Sequence, residues 1–210
     1  MSRYSFGGEN EDTFEPGSGG LVLKNKIGVT DPSEIGLAET QALDAAYLWS
    51  LDEYETISPF SLAEPKRMHS MWLGSIYEFA GQFRTVNISK GDTLFAPIEF
   101  FEKSCGEVDL LMIVNTPCDG LNKDALVERI SLIHGELLLL HPFREGNGRI
   151  ARWLADLMSL QAGFGMLNWE FGEKGEAGRE EYFAALRLAY SSNFTSLQTL
   201  VRNAIDTGQF

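Results

Sequence analysis

The stretch Lys123–Leu140 constrains the fold most strongly. Leu126, Ile130, Ile133, Leu137 and Leu140 follow one another at steps of 4, 3, 4 and 3, which sets them on one face of an α-helix. The spacing predicts the central buried helix of the domain. It runs directly into His141-Pro-Phe-Arg-Glu-Gly-Asn-Gly-Arg-Ile-Ala-Arg152, and a second apolar stripe follows in Ile150, Trp153, Leu154, Leu157 and Met158, ending at Gly163. Two apolar helices are therefore joined by a short Gly-Asn-Gly turn.

The remaining patterns fit a mainly α chain. Ile35, Ala38, Ala42, Ala45, Ala46 and Trp49 predict an amphipathic helix from Pro32 to Trp49. A second is expected from about Leu62 to Phe79, with Met68, Met71, Trp72 and Ile76 inward, ending before Gly81. Helices are also expected from Pro97 to Met112 and from Arg179 onward. The second of these follows a Gly- and Glu-rich loop over 172–178 and has a break near Ser191-Ser-Asn193. Between them, Arg84–Ile88 and Thr93–Phe95 are β-prone pieces separated by Ser89–Asp92, the pattern of a β-hairpin. Residues 1–20 carry small and acidic residues without apolar period and read as a flexible arm, leaving 21–210 as one domain.

Composition narrows the function. With 210 residues, 44% of them apolar, the chain can bury one sizeable core. A formal charge of −13 repels polyanions, so general nucleic-acid binding is not expected. Against that background Arg144, Arg149 and Arg152 concentrate positive charge inside the twelve-residue turn segment, as a small phosphate site would. No apolar run reaches the roughly 18 residues of a membrane span and no signal-peptide pattern opens the sequence, so a cytoplasmic protein without membrane contact is expected, a secreted effector remaining open. Cys105 and Cys118 lack metal-ligand spacing with His69, His134 and His141 and read as reduced structural thiols.

The turn segment carries the chemistry. A helix beginning near Gly148 presents N–H groups without intrahelical partners at the positive end of its dipole, which makes an anion site. Gly146 and Gly148 let a phosphate approach the backbone, and Asn147 tolerates unusual backbone angles and offers a side-chain amide. Arg149 and Arg152, three apart, project their forks from one turn. Glu145 would repel an anion unless a cation lay between them; Mg²⁺, held by a carboxylate, phosphates and water, resolves the conflict. His141, with an ordinary pKa near 6.5, suits a general base.

Taken singly, a helix-end histidine, a Gly-Asn-Gly turn and an Arg pair are commonplace structural features. Together, the eight fixed positions of His-x-Phe-x-(Asp/Glu)-Gly-Asn-Gly-Arg-x-x-Arg would arise by chance in about one in 10⁸ chains of this length, which favours a functional reading. The segment resembles the signature of the Fic (filamentation induced by cAMP) family at every fixed position. The likeness extends to Leu23-Lys-Asn-Lys-Ile-Gly28, Ile76-Tyr-Glu-Phe-Ala-Gly-Gln82 and Ser89-Lys-Gly-Asp-Thr-Leu-Phe-Ala-Pro97, covering about residues 20 to 200.

This resemblance implies a Fic-type helical bundle with a central buried helix, a catalytic loop at a helix N-terminus and a β-hairpin flap. It implies transfer of AMP from Mg²⁺–ATP to a protein Ser, Thr or Tyr hydroxyl. His141 would be the base, Glu145 the magnesium ligand, Gly146, Asn147 and Gly148 the phosphate cradle, Arg149 the contact to the β/γ end, and Arg152 the holder of the γ-phosphate. Phe143 would anchor the loop. The flap, about Thr85 to Phe95 with Lys90, Gly91, Thr93, Leu94 and Phe95, would clamp the target segment as an added strand. Gly148 favours AMP transfer over the kinase-like branch, which carries a bulkier basic residue there. Transfer of another group (UMP, phosphoryl or phosphocholine) and a non-catalytic nucleotide-binding module are the alternatives.

Members of the family held off by a (Ser/Thr)-x-x-x-Glu-(Gly/Asn) helix have one counterpart here, Ser5-Phe-Gly-Gly-Glu9-Asn10, whose glycine pair is poor helix material. No glutamate follows Tyr182. A separate antitoxin-like partner is therefore the expected inhibitor. His134 is expected to pack or hydrogen-bond and His69 to be an ordinary helix residue. Trp153 and Trp169 are expected in the core, with the nucleotide base near the segment after Gly163.

Overall fold

The computed structural model of the chain describes residues 5–6, 13–53, 58–90, 93–169 and 171–208. These form seven helices: α1 (Pro32–Glu53), α2 (Ala63–Leu73), α3 (Phe101–Asn115), α4 (Lys123–Leu140), α5 (Asn147–Gln161), α6 (Phe171–Ala189) and α7 (Thr195–Asp206). Helix α4 spans the residues its periodicity predicts. Asn122 caps it by accepting the Ala125 N–H at 3.0 Å, and Leu126, Val127, Ile130, Ile133, Leu137, Leu138 and Leu140 are at most 4% exposed. It packs against α3, α5 and α7, while α2 bridges α1 and α5. Each of these contacts buries an apolar stripe that water would otherwise wet.

Several expected boundaries move. Helix α2 stops at Leu73 instead of Phe79, because the Ile76 and Tyr77 N–H groups both turn back onto the Leu73 carbonyl. Its buried stripe is Pro65, Met68, His69, Trp72 and Leu73. Met71, expected inward, falls at the edge of that stripe and is 49% exposed. A 3₁₀ turn, Ile98–Phe100, delays α3 to Phe101. The loop expected over 172–178 is helical on both sides of Gly175, where φ is 55°; Glu, Lys and Ala there are good helix formers, and the glycine absorbs the break. The chain does break after Ala189, with Ser192 at φ 61°, before α7 begins.

The hairpin consists of β2 (Ile88–Lys90) and β3 (Thr93–Leu94), paired antiparallel with Ser89 opposite Leu94 and Lys90 opposite Thr93. The first strand begins four residues later than Arg84, because the Arg84 N–H bonds the Pro142 carbonyl at 2.8 Å instead of a strand partner. A third strand, β1 (Ser5–Phe6), lies on the outer side of β2, giving the order β1-β2-β3. The segment read as a flexible arm thus contributes a strand at 5–6. It also folds back at 13–20, where Phe14 bridges Leu23, the Glu15 N–H bonds the Val22 carbonyl at 2.9 Å and Ser18 is buried. No helix among the described residues is long and apolar enough to cross a membrane.

Candidate active site

Helix α4 ends on His141, whose backbone is left-handed (φ 49°, ψ 61°). That conformation is costly for a residue with a Cβ and recurs where function fixes the backbone. The ring Nδ1 lies 3.2 Å from the Leu138 carbonyl. A carbonyl only accepts, so Nδ1 carries the hydrogen and Nε2 keeps the lone pair of a base. Burial draws the imidazole pKa down to about 3, so the ring is neutral at pH 7. Phe95, which follows β3, stacks on this ring at 3.6 Å between centroids and 13° between planes.

One buried cation ties that flap to the base. Arg84, 2% exposed, donates to the carbonyls of His141 (2.8 Å), Leu140 (3.1 Å), Val86 (2.8 Å) and Ala96. Two of these acceptors are the orphan carbonyls and negative dipole end of α4, and two belong to the flap strands' flanks. The guanidinium lies 4.5 Å over Phe101.

The loop after His141 is held by its own side chains. Asn147 accepts the Phe143 N–H at 2.8 Å and donates to the Phe143 carbonyl at 2.7 Å, closing 143–147. Its amide is committed to the loop, so Asn147 offers a ligand its backbone N–H. Phe143 is fully buried and stacks on His69 at 4.1 Å. His69 is also fully buried. Its Nδ1 accepts the Gly81 N–H at 2.8 Å and its Nε2–H donates to the Glu145 carbonyl at 3.2 Å, which fixes the tautomer and makes it a loop support. Gly146 sits at φ 81°, and a Cβ there would lie 2.6 Å from Trp72 Cζ3, so only glycine fits. Asn147 and Gly148 then open α5 with N–H groups that have no intrahelical acceptor. A Cβ on Gly148 would meet Arg152 Nη1 at 3.4 Å.

The two arginines have separate supports. Arg149 Nη2 pairs with Glu39 Oε2 at 2.8 Å and lies 3.6 Å from Glu145 Oε1, with its guanidinium 4.4 Å over Trp72. Glu39, on α1 and 7% exposed, also accepts from the Tyr77 hydroxyl at 2.7 Å. Arg152 hydrogen-bonds the Tyr182 hydroxyl, which in turn lies 2.7 Å from His134 Nε2. His134 Nδ1 lies 3.2 Å from the Ala151 carbonyl and carries the proton, so Nε2 accepts from Tyr182 and the tyrosine oxygen's lone pairs face Arg152. Trp169 stacks on His134 at 5.0 Å. Burial holds His134 neutral, with a pKa near 3.

Glu145 Oε1 accepts the Gly146 N–H at 2.9 Å, which places its carboxylate at the N-terminus of α5. Among the described residues no group of three or more potential ligands is arranged to hold a metal unaided. One carboxylate beside an anion nest does fit Mg²⁺, which takes the rest of its shell from phosphates and water. Of the flap residues, Lys90 lies 4.3 Å over the Phe183 ring of α6, Leu94 is 61% exposed, Thr93 pairs with Lys90, and Gly91 lies outside the described residues. Cys105 and Cys118 are free thiols whose pKa values burial raises to about 11, as suits structural residues.

The family model described as "Fic/DOC family" matches residues 59–159, from just before α2 to near the end of α5. Residues 59–159 match a Fic domain. It is 29% identical over 204 residues to "Protein adenylyltransferase VbhT" of Bartonella schoenbuchensis, covering 96% of this chain and 40% of that one. It is 27% identical over 180 residues to "Probable protein adenylyltransferase Fic" of Escherichia coli, covering 81% and 86%. The fold is shared with the BepC protein of Bartonella tribocorum, solved with bound AMPPNP, at a TM-score of 0.72 and 19% identity over 94% of this chain and 97% of that chain. Arg84 and Glu39 are structural partners of the motif that the sequence did not single out. Neither stands in a motif, and each is distant in sequence from the group it holds.

Proposed function

We propose that this chain transfers AMP from Mg²⁺–ATP to a Ser, Thr or Tyr hydroxyl of a protein target. The observation that carries the reading is the tautomer of His141. Its lone pair sits on Nε2, one short loop from the Asn147 and Gly148 N–H groups that open α5 without an intrahelical acceptor. A general base and an anion cradle on adjoining helix ends are what attack on a nucleotide phosphate needs. The names of VbhT and the E. coli Fic protein as adenylyltransferases support the same chemistry.

In the proposed reaction the target oxygen attacks the α-phosphorus of ATP and its proton passes to His141 Nε2. The bond from the α-phosphorus to the oxygen bridging to the β-phosphate breaks, and pyrophosphate leaves. Gly146, Asn147 and Gly148 receive the phosphates through the backbone. Arg149 and Arg152 supply positive charge from the first two turns of α5, and the small side of Gly148 leaves Arg152 room to swing. Glu145 would hold Mg²⁺, which when bound neutralises phosphate charge. The flap residues Lys90 to Phe95 receive the target backbone. Inhibition comes from a separate antitoxin-like partner: Ser5 and Phe6 of the one candidate inhibitory motif form a strand where the motif calls for a helix, and Glu9 and Asn10 lie outside the described residues.

The test is incubation with Mg²⁺, each α-³²P nucleoside triphosphate and a cell lysate, beside a His141→Asn control that tolerates the left-handed backbone. Protein label from ATP that vanishes in the control is expected. Label from UTP or another nucleotide in its place would overturn the choice of ATP, and γ-label transfer would overturn nucleotidyl transfer.

A further inference from the structure

We infer that the groove between the flap and helices α3 and α4 is a subsite for a lysine or arginine side chain of the target segment. The inference rests on the transferase reading above and deepens it. The groove encloses about 350 Å³, and its walls include Leu94 and Pro97 from the flap, Val108 from α3 and Leu139 from α4. That is room for one long side chain, at the small end of the roughly 300–1,000 Å³ typical of binding clefts. Two carboxylates, Glu107 and Glu136, complete the lining.

Strand order says which segment reaches it. Ser5–Phe6 occupies one edge of the sheet beside β2, so β3 is the other edge, and an added strand on the hairpin's remaining side pairs with β3. Leu94 of that strand and the chain running on to Pro97 form the wall of the groove. Side chains alternate along an extended segment, so a residue lying against β3 at this point turns its side chain into the groove. Phe95 lines the groove and also stacks on His141, so the occupant lies within a few residues of the hydroxyl presented to the base.

Charge says what the segment carries there. Glu136 is half-buried, and among the described residues no cation pairs with it. Burial first, and the neighbouring Glu107 charge second, raise its carboxyl pKa, the mark of a carboxylate short of a counter-ion. Among the described residues Glu107 has only an exposed i,i+4 partner, Lys103 at 3.6 Å. A Lys or Arg side chain lays its methylenes along Val108 and Leu139 and brings its charged head to Glu136, matching both parts of the lining. The chain's net charge of −13 favours the approach of a basic segment.

The experiment scans one Lys or Arg, against Gln, through each position around a single Tyr, Ser or Thr in extended peptides. Transfer from α-³²P-ATP and equilibrium binding are both measured on the full chain. Basic peptides at one fixed offset should be labelled, and bound, about tenfold better, a coupling of the size seen for a partly desolvated charge pair. Glu136→Gln should erase that preference and Glu136→Lys should reverse it toward Glu peptides, with the thermal midpoint of the Gln variant not lowered. Transfer or binding with no positional preference for Lys or Arg overturns the subsite and leaves the transferase reading intact. Absence of transfer to every peptide and lysate protein overturns the transferase reading. In that case the binding arm still decides the groove: equal or absent binding of Lys and Gln peptides overturns it.

Discussion

The ring of Phe95 lies parallel over the imidazole of His141 at 3.6 Å, so a flap residue and the candidate base are packed as one unit. This cover is part of why the base is so acidic in its protonated form, with a pKa near 3. A lowered pKa keeps the base neutral, and so competent, further into acid. Phe95→Ala admits water to the ring, and the acid limb of the pH–rate profile should move up toward the ordinary histidine value of about 6.5. Superimposable acid limbs for the two proteins would contradict this account.

Gly146 and Gly148 should respond differently to the same methyl group. Gly146→Ala forces a positive φ and a 2.6 Å approach to Trp72, so a loss of about 2–4 kcal/mol in denaturant unfolding is expected. Gly148→Ala is helical, meets only the flexible end of Arg152, and should change stability by less than about 1 kcal/mol. Its effect belongs on transfer, because it displaces the arginine: kcat for AMP transfer should fall about tenfold with the fold intact.

Arg84 satisfies four carbonyls at once. Arg84→Met leaves the ends of α4 and the flap without their shared donor, and about 3 kcal/mol of stability should go with it. Limited proteolysis should then cut first within the hairpin. Cleavage patterns matching the wild type would remove Arg84 as the link between flap and base.

Tyr182 transmits the fixed tautomer of His134 to Arg152. Removing its hydroxyl in Tyr182→Phe should reduce kcat about tenfold while KM for ATP changes less than about threefold, since the arginine is still present but no longer aimed. Combined with Arg152→Lys the losses should not add. Additive losses would show that the two side chains act independently.

All three histidines are buried and neutral, with pKa values of about 4 for His69 and about 3 for His134 and His141. The unfolded chain takes up protons at these positions below about pH 6.5, where the folded one does not, so stability falls as pH falls from 6.5 toward 4. Each contributes about 1.4 kcal/mol per pH unit in that window. Asp156, raised to about 6 by burial, opposes part of the slope because it binds its proton earlier when folded. Unfolding midpoints that stay level from pH 7 to 5 would contradict the buried neutral state.

The sequence made α4, the turn and the start of α5 legible because each is encoded locally, by apolar spacing or by glycine and asparagine at a helix start. What it hid was encoded by distance. Arg84 gives no local sign that it will bond carbonyls more than fifty residues away. His69 read as an ordinary helix residue because nothing in α2 announces Phe143 against its ring. Asn147 was legible as a special position, but its amide went to Phe143, a bond that the loop's closed shape makes and its composition does not reveal. The early end of α2 and the helical 172–178 segment turned on backbone bonds and a single glycine dihedral, which periodicity does not register.

The paired bonds between Asn147 and Phe143 have a thermodynamic corollary. A cradle stapled by its own chain has little disorder left to surrender to a guest, so nucleotide binding here should carry only a small entropic penalty from ordering the loop. Cutting the staple with Asn147→Ala would move that penalty into the binding step, and calorimetry would record weaker affinity with a more unfavourable entropy at similar contacts.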